Sequence, residues 1–356
     1  MRVAFILPGG LDRVSGGFLY DGFLIDHLRK LGVSVDVVPV PWWPLVPSLA
    51  TNLVSFAKVV AGCDVVIQDE LCHPSVFLRN RWLRRAGVPV IALVHNLASR
   101  QPAARAAPLR AAIERHYFRT VDGVVAVCHS TERDVASLLP APVPTVVAPA
   151  GRDHVSSLID EAGVEARGLA PGRLRVLFSG AVVRSKGLHR LINLLARLPG
   201  HDIRLDVAGA LDGDRRYADE IRAQIAAEGL SARVTLHGLL RGEALWALYG
   251  RSHVLALPSD REAYPLVAVE ALGHGLPVLV TDQGGAAEVI GHGEQGLGLP
   301  PGDVAAWSTA LASYADDRRR LVTAGHAALG RFRALNTWAE TASRVQALCV
   351  RLLQSR

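Results

Sequence analysis

The sequence predicts an α/β protein made of two doubly wound units, each a parallel sheet covered by helices on both faces. Its 356 residues exceed one ordinary core and suit two of roughly 150 to 180 residues each. Short apolar runs bounded by turn residues alternate with segments of helical spacing along the chain, the pattern of buried parallel strands joined by crossover helices. That alternation breaks once, in the polar stretch Ala148–Leu174, with Gly and Pro at both ends, which reads as a linker plus a short helix.

In the first half the expected strands are Val3–Leu7, Val33–Val38, Val65–Ile67, Val90–Val94, Gly123–Val127 and Val143–Val147, with helices such as Phe18–Leu31 and Leu109–Arg119 between them. The second series runs Arg175–Ser179, Leu205–Ala208, Val234–Leu236, Val254–Leu257 and Val278–Val280. Its helices are Gly187–Leu198, Arg216–Glu228, Glu243–Tyr249, Leu266–Gly273 and Val304–Asp316. A last helix, Trp338–Leu353, follows both sheets and is placed to return to the first domain. The expected division is therefore residues 1–165 with 338–356 as one domain and 166–337 as the other.

Half of the residues are apolar and a fifth are charged, as in an ordinary globular protein. No apolar run reaches the ~18–20 residues that span a bilayer. The start, MRVAFILPGG, reads as a strand and a turn rather than a signal peptide. Cys63, Cys72, Cys128 and Cys349 fall at unrelated spacings, which suits buried free thiols in a reducing cytoplasm. The net charge is +6, and from Arg79 to Arg119 there are nine arginines and a single acid, Glu114. A solvated face, a nucleic-acid surface and a face for an anionic acceptor or the inner membrane surface all fit such a stretch. The nucleic-acid reading lacks interleaved aromatics or a recognition motif, so no nucleic-acid partner is expected.

Five constellations can carry chemistry. Gly9–Gly17 follows the first strand and precedes the first helix; its glycines allow backbone amides to approach an anion, or simply make a tight turn. Its spacing is not the dinucleotide fingerprint. Phe178–Gly187 places Arg184 and Lys186 beyond a strand end, where open α/β sheets bind ligands. A lysine at a helix start opposes the helix dipole and suits a phosphate contact, although a surface lysine also fits. Pro258–Glu270 presents Glu262 on the loop after a strand and Glu270 one turn into the next helix, with Pro265 at its start. Thr281–Glu288 turns sharply at Gly284–Gly285. His95 stands just beyond the strand Val90–Val94, where a ligand contact and a hydrogen-bonded structural role are equally compatible. The pair Asp212 and Asp214 lies beside Arg215 and Arg216, which compete for its charge; no metal site is expected.

In this order, the glycine-rich first loop, the histidine after a first-domain strand, Lys186-Gly187 and the acids Glu262 and Glu270 resemble glycosyltransferase family 4. Ala271, Gly275, Pro277-Val278, Gly284-Gly285 and Glu288 accompany them, and the likeness is strongest over Val176–Leu299. The resemblance implies a GT-B fold, two facing Rossmann-like domains with a cleft between them and a C-terminal helix crossing back. It implies a retaining transfer of a sugar from a nucleoside-diphosphate sugar to an acceptor hydroxyl, with no metal or cofactor. Residue by residue, it implies that Glu270 binds the nucleotide ribose and that Glu262 and His95 lie near the transferred sugar. Lys186 would neutralise the diphosphate, with Arg184 and the amides of Leu266 and Val267 beside it, and Gly16 and Gly17 would flank the donor. The acceptor would be a small molecule, a glycan or a lipid-linked glycan, with a peripheral membrane contact. Two departures touch the diphosphate site: Ala181 stands where the family usually has arginine, and Pro265 where glycine is common. An impaired sugar-nucleotide binding protein and a GT-B sugar-nucleotide epimerase are the alternative readings.

Overall fold

A computed structural model of the chain describes residues 1–11, 15–41, 45–53, 60–100, 107–291 and 293–355. Trp42 and Trp43, an aromatic pair whose place in the sequence would suit acceptor contact, lie outside them. The chain forms two compact units, Met1–Gly151 with Asn336–Arg356, and Arg152–Leu335.

The first unit is a six-stranded parallel sheet of β1 (Arg2–Pro8), β2 (Ser34–Val40), β3 (Val65–Asp69), β4 (Val90–Val94), β5 (Gly123–Ala126) and β6 (Thr145–Val147), in the order β2-β1-β3-β4-β5-β6. β3, β4 and β5 are buried at every position, as strands covered on both faces must be. The strand order reverses between β1 and β3, so the crevice beyond their carboxyl ends is where this topology favours a ligand. The final helix, Trp338–Gln354, belongs to this unit. It opens with a capping box between Thr337 and Glu340, and Trp338, fully buried, stacks on Phe23 at 5.1 Å and meets Tyr20 edge-on. Gly151 leaves room for that helix start, because a Cβ there would lie 2.1 Å from the Trp338 backbone nitrogen.

The second unit has β7 (Leu174–Ser179), β8 (Ile203–Ala208), β9 (Val234–Gly238), β10 (Val254–Leu257), β11 (Val278–Thr281) and β12 (Gly296–Leu299), in the order β12-β11-β10-β7-β8-β9, again all parallel. Here the reversal falls between β7 and β10. β12 was not anticipated, since its GLGL run has two glycines and no β-branched residue; pairing along β11 makes it a strand. The helix Arg318–Ala334 was also unanticipated. It packs on the helix Glu161–Leu169, where Gly168 meets Val322 and Val164 is buried. The boundary expected at residue 165 therefore cuts through a helix that is part of the second unit. The polar surface of that helix resembles a linker in sequence, and only its Val164–Gly168 stripe reveals the packing.

Candidate active site

In the second unit the carboxyl ends of β7 and β10 bring two of the expected loops together. After β7 the chain turns at Gly180 and makes a short 3-10 turn over Arg184–Lys186. Gly187 then enters the helix Leu188–Ala196 with φ +73°, and a Cβ on it would lie 2.1 Å from the carbonyl oxygen of Pro258, so the β7 loop can approach the β10 loop only with glycine there. Arg190, one turn into that helix, donates to Pro258 O at 2.7 Å and to Asp260 Oδ1 at 2.5 Å, fixing the β10 loop from the other side.

Lys186 Nζ donates to Glu262 Oε1 at 2.6 Å, and Ser259 Oγ donates to the same oxygen at 2.6 Å. Glu262 is buried while the Lys186 side chain is one-third exposed. The backbone around Glu262 is clamped by the β11 loop: Glu262 N–H donates to Gln283 O and Gly285 N–H to Glu262 O. Gly284 has φ +95°, and a Cβ there would lie 2.1 Å from the Glu262 carbonyl oxygen. The Gly284–Gly285 turn is thus the seat of Glu262.

Glu270 lies one turn into the helix Leu266–Gly273 and accepts a hydrogen bond from Tyr249 Oη at 2.6 Å. Burial pushes its carboxyl up to about 6, and the Tyr249 bond works against that rise. His154 Nε2 approaches Glu270 Oε1 at 3.8 Å, and His274 donates from Nδ1 to Glu270 O while stacking on Tyr249 and Trp246. Pro265 is the residue before the first helical turn, not within it. Leu266 and Val267 supply the first amides of that helix, which by helix geometry have no acceptor one turn back. Arg184 is engaged away from Lys186: its guanidinium meets Glu220 and lies 4.9 Å over the Tyr217 ring. Asp214, from the discounted acid pair, caps the helix Arg215–Ala227 through Tyr217 N.

In the first unit, Gly17 and His95 come together at the ends of β1 and β4. A Cβ on Gly17 would rest 3.5 Å from His95 Cδ2, so the helix Gly16–Lys30 passes directly against the imidazole; a Cβ on Gly16 meets nothing within 4 Å. The Tyr20 ring meets His95 edge-on at 4.9 Å. Three buried acids, Asp21, Asp69 and Glu70, surround this histidine, none of them among the residues expected at the site. Asp21 Oδ1 lies 2.9 Å from His95 Nε2, and Asp69 Oδ2 lies 3.7 Å from it. Glu70 accepts the backbone N–H groups of His95 at 2.8 Å and Asn96 at 3.2 Å. Burial raises the Asp21 carboxyl to about 7 and Glu70 to about 8; Asp69 is also raised well above its usual range, by burial and then by Asp21. A signal for Asp21 existed: it occupies a core position of an amphipathic helix, in step with Phe18, Leu24, Ile25 and Leu28. Asp69-Glu70 directly ends an apolar strand, the same kind of place that drew notice to His95.

Asp21, Asp69 and His95 each offer one ligand-type atom, and these lie within 4.8 Å of one another. The 2.9 Å approach of Nε2 to a carboxylate oxygen is ordinary hydrogen-bond geometry.

Two family models cover most of the chain: "Glycosyl transferase 4-like domain" over residues 6–151 and "Glycosyl transferases group 1" over residues 162–328. The chain belongs to the GT-B glycosyltransferases of the family 4 type. Curated relatives include the D-inositol 3-phosphate glycosyltransferase of Nocardia farcinica, 32% identical over 74% of this chain and 60% of the relative, and that of Pseudarthrobacter chlorophenolicus, 30% identical over 72% and 64%. The chain thus spans about three fifths of the length of these relatives. Among solved structures, sucrose-phosphate synthase from Thermosynechococcus elongatus matches with a TM-score of 0.85 at 22% identity, covering 100% of both chains. The HepE protein of Anabaena in complex with UDP and glucose matches with 0.75 at 18%, covering 97% of this chain and 98% of its own. At these identities the structural matches establish the fold.

Proposed function

We propose that the chain is a retaining glycosyltransferase that moves a sugar from a nucleoside-diphosphate sugar to an acceptor hydroxyl without a metal. The observation that carries this reading is the convergence of Lys186 and Glu262 at 2.6 Å beyond the strand-order reversal of the second unit, with Glu270 on the helix that follows. Cleaving a glycosyl–phosphate bond leaves a diphosphate with added negative charge. Lys186 and the amides of Leu266 and Val267 are the groups that would stabilise it. Arg184, held by Glu220 and Tyr217, would join them only by releasing those partners. Lys186 already sits on a carboxylate, so an arriving diphosphate competes with Glu262 for the ammonium. That exchange would leave Glu262 with the Ser259 hydroxyl and poised toward the sugar. Glu270, held by Tyr249, presents its carboxylate to the ribose hydroxyls, and His95 takes the sugar-contacting role of the first domain. The departing phosphate oxygen would deprotonate the acceptor on the same face, which retains the anomeric configuration. The nucleoside-diphosphate sugar is the co-substrate, and no other cofactor is required.

The test is a panel of uridine, guanosine and adenosine diphosphate sugars with sugar, inositol-phosphate and lipid-linked acceptors. The uridine series is included because the HepE neighbour is complexed with UDP, and inositol phosphates because the curated relatives are named for them. Product with the donor's anomeric configuration, insensitive to chelator and lowered at least a hundredfold by Glu262→Ala, is expected. Binding of nucleotide without turnover favours the impaired-binder alternative, and a free isomerised sugar favours the epimerase. Activity that chelator abolishes and metal restores rules out the metal-free mechanism.

A further inference from the structure

His95 is held more elaborately than a sugar contact by itself requires. Glu70 takes both backbone N–H groups of the turn at His95 and Asn96, and Thr131 Oγ1 donates to the His95 carbonyl at 3.2 Å. Tyr20 and Gly17 fix the ring plane from the helix side. The ring's Nε2 meets Asp21 Oδ1 at 2.9 Å, while no hydrogen bond to Nδ1 is found among the described residues. Asp21 is fully buried, and its second oxygen accepts from no ordinary donor among the described residues. The acid beside that carboxylate is Asp69, itself buried, with a carboxylate oxygen within 4.8 Å of one of Asp21's. Neighbouring buried carboxylates disfavour double ionisation, and burial together with Asp21 pushes the Asp69 carboxyl well above its usual range, so Asp69 is the one that keeps its proton.

We propose that Asp21 is a positioning residue for the transfer: by accepting the Nε2 proton it locks His95 in one tautomer and leaves Nδ1 as the acceptor that meets a donor-sugar hydroxyl. This inference rests on the role given to His95 above. A neutral imidazole has one donor and one acceptor nitrogen, and the partner of one nitrogen decides the function of the other. Asp69 completes the device. Its proton, directed at Asp21, offsets the cost of keeping a carboxylate ionised in the interior without delivering a full positive charge to the site. The titratable groups facing Asp21 are His95 beyond β4 and Asp69 and Glu70 at the end of β3, with Cys72 and Tyr117 close enough to feel the acids. Acid should therefore abolish the arrangement by protonating Asp21, whose carboxyl titrates near 7.

The experiment uses the full chain and four variants, Asp21→Ala, Asp21→Asn, His95→Ala and His95→Gln. Thermal unfolding checks that each folds, and nitrogen-15 spectra of the imidazoles, with the His95 signal assigned by its loss in His95→Gln, report the tautomer. Expected are an Nε2–H tautomer in the parent and a mixed signal in Asp21→Ala. That variant should also lose about tenfold to a hundredfold in kcat, with the nucleoside-diphosphate affinity unchanged, the range typical when the partner that orients a working imidazole is removed. Asp21→Asn, whose amide oxygen still accepts, should keep the tautomer and most of the turnover, and should lack the acid limb of the parent's pH profile. A folded Asp21→Ala with the parent's tautomer and kcat overturns the proposal. So does a His95 signal that moves on chelation, because Nε2 would then be a metal ligand. If His95→Ala transfers sugar as well as the parent, the assignment of His95 itself fails, and that outcome is distinct from both.

Discussion

At the scale of single residues, Glu270 gives the sharpest pH test. Its carboxyl is raised to about 6 by burial. The folded state therefore holds this proton more tightly than the unfolded chain, so Glu270 opposes folding above about pH 6 and ceases to do so as pH falls toward its unfolded value of about 4.3. Ribose recognition has the opposite preference, since two hydroxyl donors need the ionised carboxylate. Nucleoside-diphosphate affinity should thus weaken as pH drops through 6, and Glu270→Gln should flatten that dependence while weakening binding about tenfold or more at pH 7.5. Calorimetric titration of the parent and the variant at several pH values checks this; parallel curves would remove Glu270 from the nucleotide site. The charge on the phosphate itself changes equally for both proteins and so cancels in the comparison. Glu262 and Lys186 stand out in the sequence because each lies on a loop beyond a strand end with a recognisable turn, and Glu270 because it lies in the first turns of the helix that follows such a loop. Asp21, Tyr249 and Ser259 were not singled out. Asp21 and Tyr249 are lone polar residues within helices whose partners are distant in sequence, 74 residues for Asp21 and His95 and 21 for Tyr249 and Glu270, whereas Ser259 lies only three residues before Glu262 and reads as an ordinary loop hydroxyl.

At the scale of elements, the site depends on three strand-end loops whose backbones touch, and glycine is what allows it. Gly187 lets the β7 loop reach Pro258, and Gly284 lets the β11 loop reach Glu262. Gly284→Ala adds a Cβ 2.1 Å from the Glu262 carbonyl at a φ of +95°. It should destabilise the fold by about 1–3 kcal/mol and displace Glu262 from Lys186 and Ser259. Turnover should then fall by more than the loss of folded protein accounts for, as thermal unfolding and steady-state rates on the same sample would reveal. A loss of stability with kcat per folded molecule intact would mean that the turn supports the sheet but does not seat the acid. The order of strands and helices was largely readable beforehand, because fully buried parallel strands such as Val254–Leu257 and Val278–Thr281 are near-continuous apolar runs. The exceptions have a physical pattern. β12 is held by its neighbour and not by its own propensity. The helix Glu161–Leu169 hides a narrow packing stripe in a polar segment, so the division between units falls at 151/152.

At the scale of the whole molecule, what is left to explain is the excess of positive charge, and the first unit locates it. The helices His73–Arg85 and Ala107–Phe118 pack together, with Phe77 against His116. On their solvent side Leu78, Trp82 and Leu109 are each nearly half exposed, beside the exposed Arg81, Arg85 and Arg115. A solvated face tolerates such residues singly, whereas an anionic lipid surface would use both the charge and the apolar tips, and the two readings are separable by experiment. No helix among the described residues is long and apolar enough to cross a bilayer. The full chain should sediment with vesicles containing phosphatidylglycerol and not with purely zwitterionic ones. Each arginine near the surface contributes about 1 kcal/mol, and the attraction decays within a Debye length of about 10 Å at 0.1 M salt. Raising salt from 0.05 M to 0.5 M (roughly a threefold shortening of that length) should release most of the protein. Arg81→Glu with Arg85→Glu should do the same at low salt, and Trp82→Ala should leave a weaker, wholly salt-sensitive association. Binding that persists in high salt and survives the double arginine change would place the contact elsewhere. A chain that ignores anionic vesicles altogether would return these arginines to the role of a solvated surface and point to a soluble acceptor.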